Sequence, residues 1–287
     1  MTTLPDRAGR HCHNVLNPLH SAAYFAPDLA KELAPYGIED PAAVYLAGRA
    51  AAMGAVGAGT VTATFYNFNH ALVARFVPEV WDFASPDTVL AARLRAVDST
   101  LRRLLGEETA ASDEVREAAE LALQAARGCS RAGRPLYAAH ADLPVPDAPH
   151  LALWHAATLL REHRGDAHLA VLQRAALDPL EALVSHTASG RGMAPKWVLS
   201  TRGYNEQDWT AAQDRLRDRG LLDATGDLTE DGLTLRKELE DETDELDRGP
   251  YEQLGTDGTA RLTELATGFT KAALANGAFP ADLFGKG

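Results

Sequence analysis

The sequence predicts a mainly α-helical protein, with an N-terminal multi-helix domain followed by a winged-helix-like domain that has a minimal wing. Helix-starting residues recur along the chain, as at Ser85-Pro86-Asp87 and Asp178-Pro179. Apolar residues follow them at helical spacing, and no strand-then-helix alternation is present, which argues against a doubly wound sheet. Near the C-terminal end, two helices flank a short turn around Thr225-Gly226.

These elements predict three consecutive parts. Residues 1–178 are expected to form an α-helical domain that holds a ligand pocket. Residues 179–247 are expected to form the winged-helix-like domain. Residues 248–287 are expected to form a helical extension that packs back on the chain or dimerises.

Composition narrows the classes of function. The chain has 287 residues, of which 46% are hydrophobic and 24% are charged, and its net charge is −12. Such an acidic surface repels nucleic acid and anionic membranes. The two cysteines, Cys12 and Cys129, lie outside any CxxC motif, and the N-terminus lacks a secretion signal pattern. We therefore expect a cytoplasmic protein with reduced thiols.

An uncharged stretch of twenty residues, Ala50 to Asn69, is long enough to cross a bilayer. It consists mostly of Ala, Gly and Thr, so we expect a buried, closely packed helix and no membrane span. Its GAVGAG segment, Gly54 to Gly59, departs from the dinucleotide-binding pattern and indicates close helix crossing.

The stretch from Lys196 to Arg219 predicts a helix-turn-helix pair. The first helix covers Lys196 to Arg202, and the second covers Glu206 to Arg219 after an Asn205 cap. The expected core face of the second helix consists of Trp209, Ala212 and Leu216, and its outward face of Thr210, Gln213, Asp214 and Arg217.

The charge of this part argues against DNA. From Gly190 to Asp247 there are 8 Lys/Arg and 15 Asp/Glu residues, so the net charge is 8 − 15 = −7. The wing segment DATGD, residues 223 to 227, contains no Lys or Arg. Because duplex affinity comes first from neutralised phosphates, we expect a packing or ligand-binding module and no nucleic-acid partner.

Polar and aromatic residues gather at a few places in the helical part. His20 and Tyr24 are four residues apart and share a helix face. Arg49 enters an apolar helix and needs a carboxylate, a ligand or solvent. The segment FYNFNH, residues 65 to 70, fits either a pocket lining or simple Phe packing with an Asn cap.

The run from Trp154 to His168 is the densest in polar residues. His155 and Glu162 are seven residues apart and fall on one face. Arg161 with Arg164 suits a carboxylate or phosphate, whereas a buried salt bridge of Arg161 with Glu162 is the structural alternative. The histidines lack metal-site spacing, so we expect no metal site, and the cofactor is left open.

These patterns favour a small-molecule-binding protein whose ligand is anionic. The residues expected to bind it are His20, Arg49, Tyr66, Asn67, His70, Trp154 and Arg161. An enzyme is the first alternative, with His155 or His163 as general base and Tyr24 as proton donor, unaided or assisted by haem or metal. A ligand-responsive DNA-binding regulator is the second. The winged-helix part would close over the site or form a homodimer.

Several longer sequence segments resemble those of a known protein family. They include LHSAAYFAPD (19–28), AGRAAAMGAV (47–56), TATFYNFNHALVARFVPEVW (62–81), TRGYNEQDW (201–209) and RGLLDATGDLTEDG (219–232). With the runs at 133–168 and 242–255, the chain resembles the actinobacterial SalK-like helix-turn-helix proteins along nearly its whole length. Its C-terminal part resembles the winged helix of multiple-antibiotic-resistance regulators. The resemblance implies an α-helical domain followed by a winged-helix-like one. Ala167-His168 stands where the family usually has Gly-His.

Overall fold

The computed structural model describes residues 4–285, which contain sixteen α-helices and no β-strand. The helices are α1 Ala8–Ser21, α2 Asp28–Leu33, α3 Pro41–Ala50, α4 Ala58–Phe65, α5 His70–Ala74, α6 Val80–Phe83, α7 Pro86–Leu105, α8 Glu107–Ala110, α9 Asp113–Ala126, α10 Pro135–Ala141, α11 Pro149–Arg174, α12 Pro179–Ala188, α13 Pro195–Thr201, α14 Glu206–Asp218, α15 Glu230–Leu246 and α16 Arg248–Ala275. Single 3₁₀ turns cover Ala22–Tyr24, Ala34–Tyr36 and Ala51–Met53. No helix in the described range is long and apolar enough to cross a membrane.

The chain divides into two compact units. The first unit comprises residues 1–55, 79–167 and 244–279, and the second comprises residues 56–78, 168–243 and 280–287. The units therefore depart from the expected boundaries after residues 178 and 247. The segment 56–78 belongs to the second unit, and the whole of α16 belongs to the first.

In the first unit, small residues let helices α1, α9 and α16 approach closely. Ala118 and Ala122 on α9 are fully buried in its core. A Cβ added at Gly9 of α1 would lie 2.5 Å from the ring of Tyr251 on α16. A Cβ at Gly128 would lie 2.4 Å from the carbonyl oxygen of Gly249. Each contact is shorter than van der Waals distance, so only glycine fits at these crossings.

In the second unit, helices α12 to α15 share a core that includes Val198, Leu216 and Leu239. The turn between α13 and α14 contains Gly203 at φ 76°, where a Cβ would lie 2.6 Å from that of Leu72. The turn is therefore limited to glycine by conformation and by space.

Most expected helix starts are confirmed by capping hydrogen bonds. Ser85 and Ser112 each accept a bond from the third residue of their helix. Asp178 and Asn205 form capping boxes with Glu181 and Asp208.

The sequence pattern also indicates a helix start at Asn17-Pro18 and a helix break at Gly165-Asp166, and both interpretations are wrong. Helix α1 starts at Ala8, so Pro18 lies inside it and does not open it. Helix α11 runs through Gly165 without a break, because the Asp166 carboxylate accepts hydrogen bonds from the α10 backbone and does not cap its own chain. Helix α16 consists of two helical parts that meet at a kink at Gly255, so the second part begins close to Asp257, where the sequence predicts a helix start.

The Ala/Gly segment is not one buried helix. Gly54, at φ 80° and ψ −165°, ends the 3₁₀ turn Ala51–Met53, and α4 starts only at Ala58. A Cβ at Gly54, Gly57 or Gly59 would meet nothing within 4 Å. These glycines therefore lie in an interruption between two helical segments. No neighbouring helix of the described chain packs closely against them, so the prediction of a close helix crossing is wrong.

Candidate functional site

The first unit contains a buried cluster of polar residues centred on Glu162 of α11. Helix α11 also supplies Trp154, Thr158 and Arg161, and the remaining members come from α1, its following turn, α3, α7 and α10. We call it the arginine cluster, and it consists of His20, Tyr24, Tyr45, Arg49, Arg93, His140, Trp154, Thr158, Arg161 and Glu162.

The Glu162 carboxylate lies between two guanidinium groups. Arg161 Nη1 donates to Glu162 Oε1 over 2.6 Å, and Arg49 Nη2 donates to Oε2 over 3.2 Å. The Glu162 side chain is 1% exposed, while Arg161 keeps 24% of its side chain exposed. Burial alone would raise the pKa of Glu162, but Arg161 and Arg49 together hold it well below its ordinary value.

Arg93 enters the cluster without contacting a carboxylate. Its Nη1 donates to the Gly48 carbonyl oxygen over 2.8 Å and to His140 Nε2 over 3.2 Å. Its guanidinium carbon lies 5.4 Å from the ring centre of Trp154. Burial lowers the pKa of Arg93, although Tyr24 and Glu162 oppose the shift. Neutral partners thus hold this cation in place.

Positive charge exceeds negative charge at this place. Arg49 and Arg161 share Glu162, and Arg93 adds a third cation. The next carboxylate on α11, Asp166, accepts hydrogen bonds from the backbone of Leu136 and Tyr137. Burial raises the pKa of Asp166 to about 6.

The histidines of the cluster are neutral. Burial and then Arg161 lower the pKa of His20 well below its ordinary value. Burial and then Arg93 lower the pKa of His140 to about 3. His13, on the same face of α1, has its pKa lowered to about 3 by burial, Arg164 and Arg161. These three imidazole groups stay neutral because burial and the neighbouring arginines both disfavour a further positive charge.

A second polar group lies in the first unit around Asp247. His163 Nδ1 bonds Asp247 Oδ1 over 2.6 Å, and both side chains are almost fully buried. Arg164 donates to Asp244 over 2.8 Å, and Arg10 pairs with the same carboxylate over 2.6 Å. Charges are balanced here, in contrast to the arginine cluster.

A cavity of about 350 Å³ lies elsewhere in the first unit. Its walls include Phe25, Asp28, Lys31, Arg103 and Leu104. Asp28 accepts a hydrogen bond from Thr100 and pairs with both cations. None of the residues expected to bind a ligand lines this cavity.

In the second unit, α13 and α14 form a helix pair joined at Gly203. Arg202, at the end of α13, lies 4.4 Å above the ring of Phe68, and its carbonyl accepts a bond from the Asn69 backbone. The turn is therefore held by the segment before α5.

The three arginines at the C-terminal end of α14 are engaged within the chain. Arg215 donates to Asp178 over 2.6 Å and to Glu181 over 3.0 Å. Arg217 donates to Asp214 over 2.7 Å. Arg219 donates to the carbonyls of residues 175 and 176 over 3.0 and 2.9 Å.

The wing is a single tight turn. Leu222 and Leu228, on either side of the turn, form one isolated antiparallel bridge. The Asp223 carboxylate accepts hydrogen bonds from the backbone of Thr225 and Asp227 and from the Thr225 hydroxyl. The wing therefore uses an acidic side chain to stabilise its own turn.

Comparison with known protein families identifies the family of this chain. Residues 9–280 match the model of a helix-turn-helix family. The chain belongs to this family. No curated protein and no solved structure gives a significant match.

Within this helix-turn-helix protein, the expected helix pair is confirmed to within one residue at each outer end. Ala212 and Leu216 are fully buried, and Trp209 packs against the same core. On the outward face, Thr210 and Asp214 are exposed, while Gln213 and Arg217 are half-buried.

The expected ligand residues separate into the two units. His20, Arg49, Trp154 and Arg161 lie in the arginine cluster. Tyr66, Asn67 and His70 lie in the second unit.

The second-unit residues make local contacts. Tyr66 donates its hydroxyl to the Leu177 carbonyl over 2.5 Å. His70 is exposed and bonds Thr62 over 2.9 Å. Asn67, between them in sequence, is half-buried. Their role toward a ligand stays a prediction.

The residues expected to be catalytic also separate. Tyr24 lies in the arginine cluster, whereas His163 is engaged with Asp247 in the other polar group. Burial and then Arg93 lower the pKa of His155 to about 4. None of the hydrogen bonds of the described chain connects these three residues.

The cluster also contains four residues that the sequence analysis did not single out, namely Tyr45, Arg93, His140 and Thr158. Tyr45 and Arg49 are one helical turn apart, as are Trp154 and Thr158, so spacing offered a signal. Arg93 and His140 offered none, because their partners lie 45 to 47 residues away.

Proposed function

We propose that this helix-turn-helix protein binds an anionic small molecule at the arginine cluster of its first unit. The negative group of the ligand meets the N–H groups of Arg161 and Arg49. The rings of Tyr24 and Tyr45, whose centroids lie 5.2 Å apart, and that of Trp154 provide apolar contact.

One observation carries the proposal: three guanidinium groups gather in the interior around one carboxylate. Burying a cation is costly unless it is paired, so proteins rarely retain such an excess without a use. A carboxylate or phosphate group would balance it, and guanidinium groups bind both strongly. Arg161 keeps part of its side chain exposed and offers the route of approach.

The cluster supports an anion better than the 350 Å³ cavity does. In the cavity Asp28 already pairs with Lys31 and Arg103, and both cations are well exposed to solvent. Solvent-exposed ion pairs contribute little binding energy. Arg49 and Arg161 are less exposed than these cations and act in a less polar medium, where charge interactions are stronger.

The proposal is tested with phenylacetate, phenyl phosphate and the neutral analogue phenylacetamide, added at increasing concentration during thermal unfolding. We expect one or both anions to raise the Tm and phenylacetamide to leave it unchanged. Arg161→Gln is expected to weaken anion binding at least about tenfold, since a charge-assisted hydrogen bond contributes about 1.5–3 kcal/mol.

Arg217→Gln is the matched control, because it makes the same chemical change on α14. It should leave the response to anions intact. If neither anion raises the Tm of the wild type, or if Arg161→Gln responds as the wild type does, the proposal is overturned.

Family membership favours a second candidate, a ligand-responsive DNA-binding regulator. The arginines of α14 argue against it, because a phosphate would have to displace their carboxylate and carbonyl partners. Anisotropy of a labelled random duplex at low salt separates the two functions. Binding at micromolar protein would favour the regulator.

We further propose that the protein is cytoplasmic and forms a homodimer, as its thiols and its C-terminal helix suggest. The closer likeness to the SalK-like proteins, and to the winged helix of multiple-antibiotic-resistance regulators, is part of the same proposal. An enzyme using Tyr24 stays the alternative for the same site.

A further inference from the structure

The hydroxyl of Tyr24 lies at the end of a chain of hydrogen bonds whose direction can be worked out. The Thr158 hydroxyl donates to the Trp154 carbonyl oxygen over 2.8 Å, so its only proton is used. His20 Nδ1 lies 2.8 Å from the same hydroxyl oxygen. The nitrogen must therefore carry the proton and donate to Thr158.

The donor of the next hydrogen bond, between His20 and Tyr24, follows from this assignment. Because burial and Arg161 keep His20 neutral, an imidazole protonated at Nδ1 has a bare Nε2. That nitrogen lies 2.9 Å from the Tyr24 hydroxyl oxygen. Tyr24 thus donates its proton to His20, and its oxygen offers only lone pairs to any other group.

Hydrogen-bond donors lie close to the ring of Tyr24. The guanidinium carbon of Arg161 lies 5.8 Å from the ring centre of Tyr24, and guanidinium groups only donate. Trp154 stacks on the His20 ring with 5.5 Å between centroids and donates to the His20 carbonyl, which fixes the imidazole. An acceptor, the Tyr24 oxygen, therefore lies near strong donors, the N–H groups of Arg161.

We propose that the ligand is a hydroxy acid, with a hydroxyl group close to its anionic group. The anionic group accepts from Arg161 and Arg49, and the ligand hydroxyl donates to the oxygen of Tyr24. This inference rests on the proposed function and narrows its ligand class. Tyr24 acts here as a specificity-determining residue.

The test uses mandelate, which has both groups, phenylacetate, which lacks the hydroxyl, and methyl mandelate, which lacks the charge. Titration calorimetry compares the full-length wild type with Tyr24→Phe. Tyr36→Phe is the control, since Tyr36 is 40% exposed on the surface. We expect the wild type and the control to bind mandelate about five- to tenfold more tightly than phenylacetate, the value of one hydrogen bond.

The Tyr24→Phe variant should bind the two acids equally. Equal binding of both acids by the wild type overturns the hydroxy-acid inference and leaves the proposed function standing. If neither acid binds more tightly than methyl mandelate, the hydroxy-acid inference is overturned, and the proposed function is overturned with it only if phenyl phosphate also fails to raise the Tm.

A measurement on the wild type covers the case in which Tyr24→Phe fails to fold. ¹⁵N NMR of the imidazole groups reports which nitrogen of His20 carries the proton. We expect a neutral ring protonated at Nδ1. A ring protonated at Nε2 would make Tyr24 an acceptor toward His20, leave its proton free for the ligand, and overturn the inference.

Discussion

Each unit of this protein gathers three arginines, and the two groups differ in what surrounds them. In the first unit Arg49 and Arg161 share Glu162, while Arg93 rests on neutral groups. In the second, Arg215 and Arg217 have carboxylate partners, and Arg219 bonds two carbonyls.

The comparison shows that counting basic residues does not locate an anion site. The α14 arginines lie on the helix that a DNA-binding relative would use, yet their partners already neutralise them. The cluster arginines are partly buried, and they outnumber the one carboxylate that they surround. Unbalanced charge in a desolvated place is what attracts an anion, and the first unit has it.

The largest expected effect follows from removing the shared carboxylate. Glu162→Gln removes the buried carboxylate that Arg49 and Arg161 share, which should lower the free energy of unfolding by about 3–5 kcal/mol. Urea unfolding measures it. Glu117→Gln makes the same change in the exposed pair with Arg261 and should have a far smaller effect. Similar losses in both variants would show that the Glu162 network is not special.

The next effect concerns pH. The pKa of His140 is lowered from 6.5 to about 3 in the folded protein, so the unfolded chain binds the extra proton between these values. Stability should therefore fall as pH falls below 6.5. His140→Gln should reduce the proton uptake on unfolding near pH 5 by about one, read from the slope of unfolding free energy against pH.

His11→Gln, which makes the same chemical change at an exposed position, is the matched control variant. Asp166 acts in the opposite direction, because its raised pKa of about 6 favours the folded state in acid. A slope that His140→Gln leaves unaltered would show that this imidazole is not kept neutral by the fold.

A smaller loss is expected at α14. Arg215→Gln removes hydrogen bonds to Asp178 and to Glu181, whose side chain is 7% exposed. Because Arg215 itself is 46% exposed and screened by solvent, we expect a loss of about 1 kcal/mol in the free energy of unfolding. Arg116→Gln, in an exposed pair with Asp113, should change it less. Equal losses would mean that Arg215 does not connect α14 to α12.

The smallest expected effect is on DNA. Anisotropy of a labelled random duplex at low salt should not change at micromolar protein, and Arg217→Gln should give the same flat titration. A rising signal that Arg217→Gln abolishes would show that the partners of α14 yield to phosphate.

Local features of the fold were predictable from sequence because they depend on neighbouring residues. The helix pair, its Asn205 cap and the cap at Asp178 required only short-range hydrogen bonds. The continuous α11 was not predictable, because a helical glycine costs only about 1 kcal/mol and buried neighbours such as Glu162 and Asp166 outweigh it.

The candidate site was predictable only in part. The need of Arg49 for a partner follows from its apolar surroundings, but Glu162 lies 113 residues away. The pairing of Arg161 with Glu162 was one of two sequence interpretations, and it is present. The mix of aromatic and polar residues around Tyr66 predicts a pocket lining, whereas its segment belongs to the second unit, where the Tyr66 hydroxyl donates to the Leu177 carbonyl.

The most direct test is calorimetric titration of phenylacetate into the wild type, Arg161→Gln and Asp214→Asn. Asp214→Asn frees Arg217 from its carboxylate, so it would strengthen binding if α14 were the anion site. We expect affinity to fall at least about tenfold in Arg161→Gln and to stay unchanged in Asp214→Asn. Unchanged affinity in Arg161→Gln, or tighter binding by Asp214→Asn, would contradict an anion site in the first unit.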